Sequence, residues 1–573
     1  MRAHLGLQCC VALFVLSCAA QSAQTGVFED LLKRGSTFNQ QADFVSAIPL
    51  LRQATQLEPQ NPSANFLLGV ALLQSGHPAD AIDPLKIALR AIPVNEAAEG
   101  NLGDAAMELG KFALAAEIFQ NAAVRSPGSE QTLLWWTDFS LERYRALAFS
   151  LRASPRGRAA LLLTAAESGK GRPATTEPLL RQAAGLNPAI NGIWGELGVA
   201  QVQLGQEAVA EASLRKALER QPEASSTLEL EAMVDAAHGA WTEAHQRLLS
   251  IGERSTSELQ RMLSSWPLKL VPGVEVSGTV WQCLRQGTRN CAIRQTPNLR
   301  RDNDASRRLF DEERWEQLAA LPAPSQSNTA EWFWRGLALA RLGDCSHAIP
   351  ALERGLPAGE ETAASWLTSC YESAAVQTAE QLNAQGKDGA VHEIRGNILL
   401  SIRLDAAQAV GEYKEALSLK PKDQELLEKL AEAYFSLGNM ESARQSAEEA
   451  LTLNPHRAQL LRLLIKVAMS ERDYPSALSL LGRLAEAQPE DAWMRVQQGT
   501  AYTQTGQPEE AVERLKLALD AGYPDEKGAL HALLAGQLRK LGRDKDAKSA
   551  SDEAVKLADA YQQQAQNKPD EPH

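Results

Sequence analysis

Apolar and small residues in this chain recur three and four apart, in paired segments that repeat every 34 residues. Positions three or four apart share one face of a helix, so each segment reads as an amphipathic helix with one buried stripe. The unit Pro62–Asn95 shows the layout. Leu68, Gly69 and Leu72 lie in its first segment, Gly76 lies between the segments, and Ala81, Leu85 and Ala88 lie in the second, closed by Pro93. A glycine between two periodic segments predicts the turn of a helix hairpin. A proline past the second segment predicts where the next hairpin starts, because its ring cannot continue a helix. Eight prolines keep the period: Pro59, Pro93 and Pro127, then Pro188 and Pro222, then Pro421, Pro455 and Pro489.

Other units carry the same landmarks. Glu96–Ser129 has Leu102, Gly103, Ala106, Gly110, Ala115, Phe119, Ala122 and Pro127. Asn191–Ala224 has Trp194, Leu197, Gly198, Gly205, Ala210, Leu214, Ala217 and Pro222. Later come Tyr434, Gly438, Ala443, Ala450 and Pro455, then Gly499, Tyr502, Gly506, Ala511, Leu515 and Ala518. This pattern resembles that of the tetratricopeptide repeat (TPR) superfamily, W-x2-L-G-x2-Y…A-x3-F…P, Trp194 included. The resemblance implies an all-α superhelical solenoid of stacked antiparallel helix hairpins, about thirteen pairs in all. One hairpin cannot bury its own apolar face, so its neighbours complete the core. Small residues let the two helices approach, and Ala81 and Ala511 are expected to be buried facing Gly69 and Gly499.

The pattern divides the chain. Residues 25–250 read as an N-terminal array and 311–561 as a C-terminal one, with a polar tail at 562–573. Glu130–Arg156 and Thr362–Lys387 keep a helical character but lose the landmarks. Between the arrays, 251–310 reads as an irregular central insertion. Val271-Pro272-Gly273 cannot lie within a helix, and Val274, Val276 and Val280 favour a short strand. Charge singles out the same stretch. It holds ten Lys/Arg and five Asp/Glu, hence +5 in a chain of −13, which leaves −18 for the rest. Such an island either docks an anionic partner or pairs with the chain's own acidic surface. Nucleic acid as a partner does not fit a pI of 5.4.

The first 24 residues read as an export signal: Arg2, then an apolar stretch from Leu5 to Ala20. Val15-Leu16-Ser17-Cys18 resembles a bacterial lipobox, which implies lipidation of Cys18. Ordinary cleavage after Ala20 or Ser22 and an uncleaved anchor are the alternatives, and all three place the chain in the periplasm or cell envelope. Beyond the signal four cysteines remain, Cys283, Cys291, Cys345 and Cys370. An even number in an exported chain permits disulfides. Pairing Cys283 with Cys291 closes a short loop and adds about 2.5 kcal/mol on the chain-entropy model. Cys345 and Cys370 fall on adjacent helices, either as a second disulfide or as two buried thiols.

No phosphate loop, G-x-S-x-G, H-E-x-x-H or C-x-x-C occurs in the sequence, and the nine histidines lack metal-ligand spacing. The expectation is therefore no enzyme, no cofactor and no metal. TPR arrays bind polypeptides, and two of the family's binding modes test residue by residue. An asparagine ladder along the first helices is absent: Asn101 holds the place, but Leu67 and Glu196 stand in other units. A clamp for a terminal carboxylate would use Lys33, whose companion residues are missing. Lys33 and Asn101 remain as candidate partner contacts. The expected function is a protein-binding scaffold or adaptor of the bacterial cell envelope. Its alternative is a component of an export or surface-polysaccharide machine, which the family resemblance also implies.

Overall fold

The computed structural model describes residues 25–266 and 305–566, apart from 42, 93–94, 169–171, 326, 357–359, 456 and 488–490. Cys18, the Cys283–Cys291 pair, Val271-Pro272-Gly273 and the valine strand lie outside the described residues. Among the described residues the secondary structure is helical, in antiparallel hairpins, with one π-turn at Leu399–Arg403. This is the all-α hairpin repeat that the 34-residue pattern predicts. The helix Asp544–Gln566 runs past residue 561, into what was read as tail.

The local reasons are those of the pattern. Asp, Asn or Ser caps many helix starts: the side chains of Asp43, Asn61, Asp423 and Asn439 accept from the amides of Ser46, Ala64, Leu426 and Ser442. Between helices, Gly438 sits at φ 80° in the left-handed region. Its amide donates to the Phe435 carbonyl, and Asn439 donates to Tyr434. Arg472 occupies the equivalent place 34 residues on, at φ 61°, with the same two hydrogen bonds onto Met469 and Ala468. The turn therefore persists without its glycine.

Inside each hairpin the close contact differs in one detail from expectation. Ala81 and Ala511 are fully buried. Gly69 and Gly499, however, face Leu85 and Leu515: a Cβ added at Gly69 would lie 2.5 Å from the Leu85 Cγ, and one at Gly499 2.7 Å from the Leu515 Cγ. Gly103 faces Phe119 and Gly336 faces Leu352 in the same manner. Each glycine thus receives a bulky side chain sixteen residues later, because that residue lies one helical turn beyond the small one and projects across the groove.

The chain divides into two compact units whose limits differ from the boundaries at 250 and 310. One takes in the described parts of Met1–Asn101, Val391–Leu400 and Leu404–His573; the other is Leu102–Ala390 with Ser401–Arg403. In the first unit, the run from Gln424 to Asp520 is three regular hairpins, Gln424–Ser436/Met440–Leu453, Ala458–Ser470/Tyr474–Ala487 and Ala492–Gln504/Pro508–Asp520. Leu460, Leu461, Leu464, Leu481 and Leu484 form part of their continuous core.

The second unit departs from a simple stack. A solenoid brings only sequence neighbours together. Here helix Glu130–Arg152 packs along Glu361–Ala384, and Phe112–Arg125 packs against Cys345–Gly355. Phe139 stacks on Trp136 at 5.7 Å and meets Tyr371 edge-on at 5.7 Å. Arg143 binds Glu353 through Nε at 2.8 Å and Nη2 at 3.0 Å. The Gln381 and Gln385 amides both donate to the Pro127 carbonyl. The two segments that had lost the repeat landmarks are thus among those that join distant parts of the sequence.

Residues 251–266 and 305–310 also differ from the irregular insertion expected. Trp241–Arg254, Thr256–Ser265 and Ala305–Asp311 are helices. Trp266 ends the run, buried, its indole N–H donating to Glu229 at 3.2 Å.

Candidate functional site

The second unit contains an open cleft of about 870 Å³. One side is made by the chain around Asn187–Gly192 and by the starts of two helices, Ile193–Gln203 and Ser225–Ala237. The other is made by a short hairpin, Ala305–Asp311 and Trp315–Ala320, and by helix Thr329–Arg341.

Glu313 sets that short hairpin in place. It occupies its turn at φ 55°, where other hairpins have glycine, and its amide donates to the Phe310 carbonyl as the glycines do. A left-handed backbone costs a side-chain-bearing residue about 1–2 kcal/mol. The carboxylate accepts the Ser225 amide at 2.9 Å and the Ser225 hydroxyl. Ala224, the residue at the N-cap of that helix, offers no side-chain cap, so Glu313 satisfies a helix start from a distant part of the sequence. Burial raises the Glu313 pKa above the usual glutamate range, and the two Ser225 bonds offset only part of it. Glu316 acts likewise two helices on, accepting the Ser255 hydroxyl at 3.0 Å and the Ser257 amide at 2.8 Å.

Charge in the cleft is unbalanced. Eight carboxylates line it against four guanidiniums, and Arg261 behind the lining holds Glu258, which leaves an excess of three negative charges. Each guanidinium already has a carboxylate: Arg254 with Glu223, Arg307 with Asp311, Arg314 with Glu312 and Arg341 with Glu167. Arg341 also lies over the Trp366 ring, 4.5 Å from its centroid. Trp334 and Trp366 are half-buried, and Trp334 belongs to an aromatic group with Phe310, Trp315 and Phe333. Of the described arginines of the basic segment, Arg254, Arg261 and Arg307 pair with the chain's own carboxylates. The reading in which that island neutralises its own surface accounts for these three.

The residues singled out in the sequence lie elsewhere. Lys33 is exposed on the first helix. The Asn101 side-chain amide donates to the Ala97 carbonyl one turn back, at 2.7 Å. Neither lines the cleft. Cys345 and Cys370 come together with Cα atoms 5.0 Å apart, a bonding separation. Among the described residues there is no cluster that could hold a metal ion, and no helix is long and apolar enough to cross a membrane. The cleft residues had escaped the sequence reading because they are spread over turns, helix starts, the short hairpin and two later helices, and no single repeat position marks them.

Comparison with known families agrees with this geometry. Tetratricopeptide repeat models match residues 38–99, 405–467 and 468–536, a second such model matches 75–130, and a third 192–223. Over these stretches the chain carries tetratricopeptide repeats. Among solved structures it is similar to "Crystal structure of MamA", at 18% identity over 29% of this chain and 96% of that one, with a TM-score of 0.28. "MamA 41-end from Desulfovibrio magneticus RS-1" aligns at 22% identity over 30% and 96%, with a TM-score of 0.29. TPR hairpins of this kind form protein–protein interaction scaffolds, and the fold is one that typically carries no catalysis.

Proposed function

We propose that this TPR protein is a non-catalytic adaptor of the cell envelope that holds a partner polypeptide in the cleft of its second unit. The observation that carries the reading is the cleft itself: an open, 870 Å³ concavity where half-buried indoles stand beside charged groups. Its size falls within the range of ligand-binding clefts, and aromatic residues with an apolar body and a polar tip are enriched at interfaces. The export signal at 1–24 supports the envelope address, and the Cys345–Cys370 proximity supports an oxidising compartment. The proposal extends to a disulfide between them and to lipidation at Cys18.

A photo-crosslinking side chain at position 334 or 366 tests the binding reading in intact cells. Adducts with one protein from either position support it, provided position 124, an exposed valine in the same unit, yields none. Equal adducts from all three positions remove the cleft as the binding site. Mass spectrometry of the mature N-terminus tests the address. A lipid on Cys18 establishes the anchor, whereas a chain starting at Gln21 or Ala23 rejects it.

A further inference from the structure

The cleft's charge distribution selects among partners. An acidic ligand would need a guanidinium, and all four that line the cleft are already held by carboxylates. Binding an anion would strip one of those carboxylates of its partner in a site that carries three excess negative charges. A neutral ligand would leave that excess in place. A cationic ligand meets it.

Several carboxylates are positioned for this. Glu223 and Glu312 are the partners of Arg254 and Arg314, but with side-chain exposures of 83% and 56% each leaves room for a second cation. Glu360 precedes helix Glu361–Ala384 at its N-cap, yet its side chain makes no capping bond there. Beside it stands Trp366. The Arg341 guanidinium over that ring shows the arrangement at work: a cation on an indole face that is also paired with a carboxylate, here Glu167. Such a pairing contributes about 0.5–1 kcal/mol when exposed and about 2 when desolvated.

We infer that the cleft takes a basic segment of a partner protein, with arginine or lysine side chains stacking on Trp334 and Trp366 between Glu223, Glu312 and Glu360. This rests on the adaptor reading and narrows it to one partner chemistry. Long-range attraction to the acidic cleft raises the association rate, and salt weakens it.

Fluorescence anisotropy with the full chain tests the inference. Three labelled peptides of equal length serve as probes: one alternating Arg and Ala, one with Gln for each Arg, and one with Glu for each Arg. The inference expects binding of the arginine peptide at least tenfold tighter than of either other, and at least tenfold weaker at 500 mM than at 50 mM salt. Glu223→Gln/Glu312→Gln/Glu360→Gln and Trp366→Leu should each weaken it several-fold, with circular dichroism confirming the fold. Equal binding of the three peptides, or tighter binding of the glutamate peptide, overturns the inference. So does an arginine-peptide affinity that the carboxylate and tryptophan variants leave unchanged. A variant with Gln at Arg285, Arg289, Arg294, Arg300 and Arg301 controls for the chain's own basic stretch. Tighter peptide binding by that variant assigns the cleft to this chain's own segment and overturns the external partner. If the crosslinked partner of positions 334 and 366 still binds the carboxylate variant with full affinity, the basic-peptide inference fails while the adaptor reading stands.

Discussion

Glu353→Gln is the sharpest single perturbation of this fold. The Glu353 side chain is 4% exposed and the Arg143 side chain 10%. Glu353 accepts two guanidinium bonds from Arg143, at 2.8 and 3.0 Å, and the Tyr371 hydroxyl donates to it at 2.7 Å. Burial opposes the Arg143 charge, and the carboxylate outweighs it, so the guanidinium pKa lies above its usual value. Burial and then the Glu353 charge push the Tyr371 phenol well above its usual range, so it remains a donor. Glutamine keeps the shape but leaves Arg143 as a buried cation without its counter-charge. Stranding one partner of a buried pair costs about 3–5 kcal/mol. At about 1.4 kcal/mol per tenfold, that is at least a hundredfold in the unfolding equilibrium. The assay is native-state hydrogen exchange of helices Glu130–Arg152 and Glu361–Ala384 in the full chain, which reads the local opening free energy without requiring two-state unfolding. The double variant Arg143→Met/Glu353→Leu should recover most of the loss, because apolar replacement of a buried pair is often neutral or stabilising. A loss below about 1 kcal/mol for Glu353→Gln, or a double variant as destabilised as the two single changes added, refutes the reasoning.

Other expectations follow from particular contacts. Gly103→Ala puts a Cβ 2.3 Å from the Phe119 ring and should destabilise by about 1–3 kcal/mol through overpacking, less the ~0.5–1 kcal/mol of added helix propensity, in a urea titration. Arg472→Gly relieves a left-handed backbone at φ 61° and should stabilise by about 1 kcal/mol in the same assay; destabilisation would show that the arginine side chain, not the turn, decides the position. Glu313 has a raised folded-state pKa from burial, so its contribution is most favourable at low pH and declines as pH rises through the glutamate range. Glu313→Gln should accordingly gain stability relative to wild type as pH rises from the ordinary glutamate range, and a difference that is flat with pH counts against it. Thiol titration of the unreduced, denatured chain should find Cys345 and Cys370 blocked, leaving at most two free cysteines beyond residue 24; four would exclude the bond.

The sequence made the hairpins legible because their determinants are local. Gly438, Ala443, Ala450 and Pro455 each answer a demand set within one 34-residue unit. Burial of Ala81 and Ala511 followed from the same register. The pairing of Gly69 with Leu85 did not, because side-chain direction along a helix displaces a contact by a turn from the position that spacing alone suggests. Non-local packing was harder still. Glu130–Arg152 buries Trp136, Phe139, Tyr144 and Arg143 together, which spreads apolar residues over more than one face and erases the single stripe that marks a repeat helix. A helix covered on several sides looks like a degenerate repeat in the sequence, although its missing landmarks reflect a second partner.

The cleft arises from that same departure. A regular TPR stack satisfies its helix starts from within each unit, as Asp423 and Asn439 do. Where the chain returns at residue 305, this economy stops. Ala224 cannot cap its own helix, and the cap comes from Glu313, held at a backbone angle that glycine would adopt without cost. Strain of this kind persists only where the surroundings over-determine it. Here two carboxylates, Glu313 and Glu316, fix one short hairpin against two helix starts. The hairpin in turn brings Phe310 and Trp315 against Trp334. Replacing Glu313 with glycine would relax the turn and leave the Ser225 amide without its acceptor. The relaxed turn would still form, but the wall that carries Trp334 would lose one of its two anchors, and crosslinking from position 334 should fall while the hairpins from Gln424 to Asp520 keep their hydrogen-exchange protection.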